Sequence, residues 1–338
     1  MLGSGAIACH SKRSQMTETI TLAHISDVHL SPIQGFHPRY WNVKRGLGFL
    51  NWHRGRRFVH AREVADRLAA DALAQHPDHI AVTGDLANIG LPAEYDAALS
   101  WLQGLGPPDR VSVVPGNHDI YSARLHGASC LERWAPYMAS DALGKTIMAS
   151  SSERFPFVRR LGGVALIGVN SAVPTPPFVA AGRVGREQLE RLGLVLDRLH
   201  GLGLIRVILI HHPPLPGQAP PRRGLEDAHE FEAVLEKHGA ELVLHGHNHR
   251  DMLAWRQWSR GHVPVAGIAS GSARRSHGDE PPARYNLIRI SPEGGGARIE
   301  IVTRGLAEAG GLIIELGRRE LAAHASAGKT AADTGRQI

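Results

Sequence analysis

Residues 111–119 of this 338-residue chain read Val-Ser-Val-Val-Pro-Gly-Asn-His-Asp. The first four residues are followed by a proline and a glycine, which predicts a buried strand that ends at Val114 and then turns tightly. The turn presents an amide, an imidazole and a carboxylate in succession, from Asn117 to Asp119. A turn needs none of these groups for its own sake, so the stretch indicates a functional site at the end of a strand.

Four other short runs repeat this arrangement, each just after an apolar stretch. They are Asp27-Val28-His29, Gly84-Asp85, His211-His212 and Gly246-His247-Asn248-His249. Apolar runs predict strands at 20–26, 79–83, 164–169, 205–210 and 241–244, and helical spacing predicts helices at 59–75, 92–102, 185–199 and 227–238. Alternating strands and helices predict an α/β fold, in which ligands bind beyond the carboxyl ends of the strands. We therefore expect the five runs to meet in one site.

The chain changes character after Arg250. Residues 252–258, 263–270, 284–290 and 297–303 alternate apolar and polar positions, which is typical of antiparallel strands. We expect these segments to form a second, mixed sheet that packs on the first within one domain. The domain is predicted to span 19–321, between a flexible N-terminal extension at 1–18 and a disordered tail at 322–338.

The residue types in the five runs are those of a metal site. Imidazole nitrogens mixed with carboxylate and amide oxygens, without a thiolate, favour Mn²⁺, Fe²⁺ or Zn²⁺ over Ca²⁺ or Mg²⁺. A carboxylate can bind two cations at once, and Asp85, on a tight turn, is the residue expected to do so. Asp27 and His29 stand two residues apart, so on an extended segment both would project to the same side. The same spacing relates the two histidines of the last run.

Two divalent ions in such a site predict hydrolysis of a phosphate ester. Ions roughly 3.5–4 Å apart can clamp both oxygens of an in-line displacement and lower the pKa of a bridging water. His118 is then expected to orient the substrate phosphate or to protonate the leaving oxygen.

One ligand position stays open, because either His211 or His212 can fill it. We favour His211, since it is the first residue after the strand and Pro213 turns the chain away after His212. His245 is expected in the core or beside the ligands, and not on a metal.

Together the five runs resemble the pattern of the calcineurin-like metallophosphoesterase superfamily, which is D-x-H, G-D, G-N-H-[DE], H and G-H-x-H. The resemblance covers about residues 19–303, with no motif missing. It implies a four-layer αββα sandwich of two mixed β-sheets flanked by helices. It also implies a phosphodiesterase or pyrophosphatase, a hydrolase of phosphoric esters or anhydrides in which a metal-bridging water or hydroxide attacks phosphorus.

The resemblance also implies which residues hold the two divalent ions (Mn, Fe or Zn). One metal would be held by Asp27, His29, Asp85 and His249. The other would be held by Asp85, Asn117, His211 and His247. The catalytic residues it implies are Asp85, as the shared ligand, and His118, as the residue that contacts the phosphate.

A basic, aromatic insertion at 34–60 follows the first run. Residues 36–62 carry seven Arg and Lys residues and no Asp or Glu, whereas the whole chain has a net charge of +6. Such a segment suits an anionic membrane surface, so the favoured substrate is a phosphorylated or nucleotide-linked lipid of the UDP-diacylglucosamine type. Alternatively, the arginines bind the phosphate of a soluble cyclic nucleotide or glycerophosphodiester. A solvated loop is the simplest reading, and nucleic acid ranks last because no other part of the chain adds a basic groove.

The overall composition is that of a globular protein. No apolar run reaches the roughly 18 residues of a membrane-spanning helix, and neither a G-x-S-x-G elbow nor a Walker-type loop occurs. Cys9 and Cys130 give neither a disulfide framework nor a zinc spacing. We expect a cytoplasmic protein, with peripheral association at the inner face of an anionic membrane through 36–62 as a variant. A non-catalytic membrane-surface protein on the same fold is the alternative from another class, and the complete motif set argues against it.

Overall fold

The computed structural model describes residues 18–122, 129–148, 153–258, 261–294 and 296–323. The strands within these ranges are β1 (Ile20–Ile25), β2 (His79–Val82), β3 (Val111–Val113), β4 (Phe157–Leu161), β5 (Val164–Gly168), β6 (Ile205–Leu209), β7 (Leu242–His245), β8 (Met252–Trp258), β9 (Gly261–Gly267), β10 (Arg284–Glu293), β11 (Gly296–Leu306) and β12 (Ile313–Ala323). The α-helices are α1 (Val43–Arg54), α2 (Arg62–Ala74), α3 (Pro92–Leu105), α4 (Cys130–Arg133), α5 (Ala142–Ile147), α6 (Arg186–Gly201) and α7 (Ala228–His238). Most of the predicted extension and tail, 1–17 and 324–338, lies outside the described residues.

The strands form two six-stranded sheets, each with both parallel and antiparallel pairs. The first sheet has the order β12-β11-β10-β1-β2-β3, in which the neighbouring pairs β1–β2 and β2–β3 are parallel and the other three pairs are antiparallel. The second has the order β4-β5-β6-β7-β9-β8, with four parallel strands between antiparallel β4 and β8. The predicted fold class, an α/β sandwich of two mixed sheets with helices, is confirmed.

The main core lies between the two sheets. Leu22 of the first sheet and Val207 of the second belong to the same buried apolar cluster. Successive residues of a strand face opposite sides, so Ile208 joins a second cluster with Leu192 of α6 and Phe231 of α7. Strands that are buried on both faces explain the near-continuous apolar runs in the sequence.

The prediction that the alternating C-terminal segments lie together in a second, mixed sheet is wrong. β8 and β9 extend the second sheet beside β7, whereas β10 pairs with β1 and carries β11 and β12 in the first sheet. An alternating pattern indicates a half-buried strand but does not specify its partner. The open side of β1 accepts β10 because β1 is fully inside the fold and its backbone groups need hydrogen bonds on both sides.

The basic insertion is folded and anchored, which the sequence did not predict. Its helix α1 is capped by the Asn42 side chain, which accepts the Arg45 N–H at 2.9 Å. Arg45 is itself buried and donates to the carbonyl oxygens of Ile89 and Gly90 at 3.3 and 2.9 Å. Phe36 and Phe49 pack against a small apolar cluster of Ile89, Leu91 and Tyr121.

In the part of the chain that the structure describes, no helix is both long and apolar enough to cross a bilayer.

Candidate metal centre

The five motif runs converge where the two sheets end side by side. The runs at 27–29, 84–85 and 116–119 follow β1, β2 and β3 of the first sheet, and those at 211–212 and 246–249 follow β6 and β7 of the second. Six of the seven predicted ligands are buried, and His249 is partly buried. The sequence-based expectation that these runs share one site matches this arrangement.

Four predicted ligands form a first group. His29 Nε2 lies 3.3 Å from His249 Nε2 and 3.8 Å from Asp85 Oδ2. His249 Nε2 lies 3.3 Å from Asp27 Oδ1. The four side chains thus direct ligand atoms at a common centre.

A second group shares Asp85 with the first. His211 Nε2 lies 3.2 Å from Asn117 Oδ1, 3.2 Å from His247 Nδ1 and 3.5 Å from Asp85 Oδ2. The same carboxylate oxygen of Asp85 therefore faces a histidine of each group. This is the position that a ligand bridging two ions would occupy.

The hydrogen bonds on the outer side of the site leave lone pairs directed inward. His29 Nδ1 lies 3.1 Å from the Ala87 carbonyl oxygen and His211 Nδ1 lies 2.6 Å from that of Thr83. A carbonyl only accepts, so each Nδ1 carries the proton and, in the neutral ring, Nε2 keeps its lone pair. Asp27 Oδ2 accepts from the His247 N–H at 2.9 Å and from Ser26 Oγ, which leaves Oδ1 without a hydrogen bond. Inward lone pairs that face one another repel unless a cation lies between them, so these residues fit divalent metal ions.

The pKa shifts of two histidines in the cluster also indicate a site that favours cations. Burial alone would lower the pKa of His211 and His249, but the carboxylates outweigh it. Asp85 raises the pKa of His211 to about 9, and Asp27 with Glu280 raises that of His249 to about 9. The site therefore draws positive charge into a buried volume at pH 7, where an isolated imidazole is mostly neutral.

The backbone at the ligands is not extended, which corrects the reason given for the two-residue spacing. The φ angles are 53° at Asp27, 37° at His29, 55° at Asp85, 70° at His247 and 54° at His249. These are left-handed conformations that side-chain-bearing residues rarely adopt, at a cost of about 1–3 kcal/mol each. Paired side chains converge because the chain turns sharply at each ligand. Strain at five of the seven predicted ligands is typical of a functional site.

Two glycines allow the turns to approach closely. Gly84 has φ 87°, and a Cβ there would lie 2.5 Å from Gly116 N. A Cβ on Gly246 would clash with Ser26 Oγ and Asp27 Oδ2. A larger residue at either position would push two motif runs apart.

The geometry favours His211 over His212. Both ring nitrogens of His212 already have partners: Nδ1 lies 2.8 Å from Ser171 Oγ and Nε2 lies 3.2 Å from the Ala180 carbonyl oxygen. The His212 ring packs against that of His247, with centroids 4.6 Å apart. His212 therefore supports the His247 ring from outside the site. His245 is buried, and its Nδ1 lies 3.0 Å from the Gly246 carbonyl oxygen, as expected for a residue beside the ligands.

His118 lies at the rim of the first group. Its backbone N–H donates to Asp85 Oδ1 at 2.7 Å, and its Nδ1 contacts the Asn88 carbonyl oxygen. The ring then presents Nε2, which lies 3.1 Å from Arg56 Nη1. Burial, reinforced by the Arg56 charge, lowers the pKa of His118 to about 4.

Sequence reasoning missed three residues of this site. His60 was assigned no role, yet it is buried with its ring edge-on to His29 at 4.7 Å. Glu280 lies 3.1 Å from His249 Nδ1, and Arg56 reaches the site from the insertion. No motif marks His60 or Glu280, because both meet the site only through tertiary packing. For Arg56, the excess of positive charge after the first run was a signal for the segment but not for the residue.

Comparison with known proteins gives the family. A model of the calcineurin-like phosphoesterases matches residues 20–251. A probable cyclic nucleotide phosphodiesterase of Synechococcus sp. is 27% identical over 221 residues, which cover 64% of this chain and 74% of that protein. The glycerophosphodiester phosphodiesterase GpdQ of Enterobacter lignolyticus is 28% identical over 250 residues, which cover 72% of this chain and 76% of that protein.

Among solved structures, a dimetal phosphatase from Danio rerio has a similar fold, with a TM-score of 0.57 and 16% identity, covering 91% of this chain and 99% of that chain. A purple acid phosphatase from yellow lupin has a TM-score of 0.51 and 11% identity, covering 91% of this chain and 54% of that chain. These likenesses concern the fold. Since the family model matches well over half of the sequence, the chain is a metallophosphoesterase that belongs to the calcineurin-like phosphoesterase family.

Proposed function

We propose that this protein is a dinuclear metal-dependent phosphodiesterase that acts on a small soluble phosphodiester, of the cyclic nucleotide or glycerophosphodiester class. The observation that carries the proposal is the pair of ligand groups that share one oxygen of Asp85. The relatives named above as cyclic nucleotide and glycerophosphodiester phosphodiesterases support the substrate class.

The two ions would be held by the seven side chains predicted from the sequence. The first group, with its lone pairs and two carboxylates, comprises Asp27, His29, Asp85 and His249. The second comprises Asp85, Asn117, His211 and His247. Nitrogen and oxygen ligands without thiolate suit Mn²⁺, Fe²⁺ or Zn²⁺. When bound, such ions supply a hydroxide nucleophile near neutral pH and offset the charge of the phosphate.

His118 is the residue best placed to handle a proton at the leaving oxygen. Its Nδ1 is engaged by the Asn88 carbonyl oxygen, so proton exchange with a substrate must occur at Nε2. The His118 ring lies edge-on to that of His29, with centroids 4.9 Å apart, and none of the three distances that define the second group involves His118. We assign Nε2 to contact the phosphate and to protonate the leaving group. An anionic phosphate beside the ring would raise the pKa of His118, so that Nε2 could carry a proton in the substrate complex.

Hydrolysis of bis(p-nitrophenyl) phosphate tests this proposal. Purified protein should hydrolyse it after reconstitution with Mn²⁺, and a chelator should remove the activity reversibly. Asp85→Ala should abolish turnover, because both groups lose their common ligand. A panel of cyclic nucleotides, glycerophosphodiesters and UDP-linked lipids then identifies the substrate class. Absence of metal-dependent turnover in the wild type, or full activity in a metal-stripped sample, would refute the proposal.

A lipid-linked substrate at an anionic membrane is the second candidate. The observation in its favour is a set of exposed apolar side chains on the insertion, among which Trp41 is 58% and Val43 67% exposed. Against it, Trp52 is buried and donates to Ser31 Oγ at 3.3 Å, and Phe36 and Phe49 pack inward. Flotation with phosphatidylglycerol vesicles tests the idea, with Trp41→Ala/Val43→Ser as the comparison. Equal flotation of the two proteins, or none by either, would exclude this candidate.

A further inference from the structure

The basic side chains of the insertion make different contacts. Arg45 is buried in carbonyl contacts, and Lys44 Nζ donates to the Thr175 hydroxyl and carbonyl oxygens at 2.8 and 2.9 Å. Arg54 and Arg57 are exposed. Arg56 alone among these five turns its guanidinium to the metal-ligand cluster, where Nη2 lies 2.8 Å from His29 Nε2 and Nη1 lies 3.1 Å from His118 Nε2.

The backbone holds Arg56 in this direction. It begins the short 3-10 turn Arg56–Phe58, and its carbonyl oxygen accepts the N–H groups of Val59 and His60 at 3.0 and 2.9 Å. The next residue, Ala61, donates to the Ser272 carbonyl oxygen at 3.0 Å. The segment is thus hydrogen-bonded to the rest of the protein within five residues of Arg56, so the fold fixes the position from which this side chain extends.

The contact with His29 has a consequence for the loaded enzyme. Arg56 donates to the nitrogen that His29 would offer to a metal, so the guanidinium occupies the place of a cation beside the first group. With His29 Nε2 bound to a metal ion, this hydrogen bond would be lost and the guanidinium would face a second positive charge. Arg56 would then need an anion beside it, and the phosphate oxygens of the substrate would supply one.

We infer that Arg56 is a substrate-binding residue that donates to a non-bridging oxygen of the phosphodiester on the side of the first ligand group. The inference rests on the proposed function and deepens it. The planar guanidinium matches the geometry of a phosphate better than an ammonium does. Arg56 also contacts the His118 ring, so one phosphate oxygen bound by Arg56 lies beside the residue assigned to the leaving group.

The test combines two binding measurements with kinetics. Arg56→Met should weaken inorganic phosphate binding to the Mn²⁺-loaded protein about 10-fold to 100-fold by calorimetry, the range expected for a charge-assisted hydrogen bond. KM for bis(p-nitrophenyl) phosphate should rise by a similar factor, and Arg56→Lys should recover part of the loss. Affinity for Mn²⁺ without phosphate should stay the same or increase, because a competitor for His29 Nε2 is gone.

The matched control is Arg57→Met, which removes the same charge from the neighbouring exposed position. It should leave phosphate binding, KM and Mn²⁺ affinity as in the wild type. A purely structural role for Arg56 would lower Mn²⁺ affinity and phosphate affinity together, and that result would overturn the inference. So would wild-type phosphate binding by Arg56→Met in an active enzyme. Failure of the wild type to turn over with Mn²⁺ would instead overturn the proposed function.

Discussion

Asp119 clamps the turn that carries Asp85. Its Oδ2 accepts the backbone N–H of Asp85 at 2.8 Å and that of Gly116 at 2.8 Å, while Oδ1 accepts the Ala87 N–H at 2.9 Å. One buried carboxylate thereby joins the turn after β2 to the turn after β3. Burial, with the Asp85 charge close by, raises the pKa of Asp119 to about 7.

Asp119→Asn should therefore weaken metal binding although Asp119 is not a predicted ligand. The amide places an N–H donor where the carboxylate accepted one, so the Asp85 turn loses a hydrogen bond and shifts. Loss of such a supporting partner typically costs about 10-fold to 100-fold in metal affinity. Calorimetric titration with Mn²⁺ measures the change.

Asp141→Asn is the control for this substitution. Asp141 also accepts backbone N–H groups, from Gly144 at 2.8 Å and Arg160 at 2.7 Å, but it caps α5, which contributes no predicted ligand. It should lower thermal stability without changing Mn²⁺ affinity. Equal Mn²⁺ affinities for Asp119→Asn and the wild type would show that the clamp is irrelevant to the site.

Substitutions of His211 and His212 should have different effects on the metal content of the protein. His211→Asn removes Nε2 from the second group, so the protein should retain about one metal ion per chain instead of about two, the number in two-metal sites. His212→Asn should keep both ions, since neither nitrogen of His212 is free to bind one. Elemental analysis after gel filtration in Mn²⁺ distinguishes the variants. The reverse pattern would identify His212 as the ligand.

His118→Asn should slow turnover without emptying the site. Proton transfer by a positioned side chain contributes about 10²-fold to 10⁴-fold to rate, so kcat should fall by a factor in this range. The metal content should remain that of the wild type, because the predicted ligand set does not include His118. Loss of metal together with activity would instead make His118 a ligand or a support for one.

Local sequence was enough for ten of the twelve strands within the described residues and for the longer helices outside the insertion, because each of these is coded within a few residues. The strands β4 and β12 were not predicted, and the ligand set stays a prediction. Residues placed directly after parallel strands lie at the same edge of a sheet, so the meeting of the runs within each sheet follows from topology. The approach of the two sets depends on how the two sheets pack. The pairing of β10 with β1 could not be predicted in this way. It depends on which strand edge is open in the folded chain, and no local pattern records that.

The same distinction explains the residues that were missed. His60 meets Ser272 across 212 positions and Glu280 meets His249 across 31 positions, so only tertiary packing reveals either contact. α1 escaped prediction because it contains two glycines and because the residues that it buries, Arg45, Gly46 and Trp52, do not form an apolar stripe. Its fixed position comes from the Arg45 contacts and the aromatic cluster. The positive charge of the segment alone does not predict that Arg56 contacts the ligand cluster, because this contact depends on how α1 is anchored.

A three-residue contact fastens α2 to the first sheet, away from the predicted ligands. The Asp71 carboxylate accepts from Arg304 Nε and Nη2 at 2.8 and 2.9 Å and from the Tyr285 hydroxyl at 2.6 Å. Burial works against the charge of Asp71, but the hydrogen bonds from Arg304 and Tyr285 outweigh it and lower its pKa.

Asp71→Asn should lower the free energy of unfolding by about 1–3 kcal/mol, because two charge-assisted donors lose their acceptor. A folded-state pKa below the unfolded value means that the contribution is fully present above about pH 4, the unfolded pKa of Asp, and disappears as pH falls through the folded value. The difference from wild type in urea unfolding should thus be constant between about pH 5 and 8 and shrink towards pH 3. Asp66→Asn, on the same helix but with a 50% exposed carboxylate paired to Arg62, should change stability by no more than about 0.5 kcal/mol. This account of the contact would be contradicted if the loss of unfolding free energy in Asp71→Asn grew as the pH fell, or if it equalled the loss in Asp66→Asn.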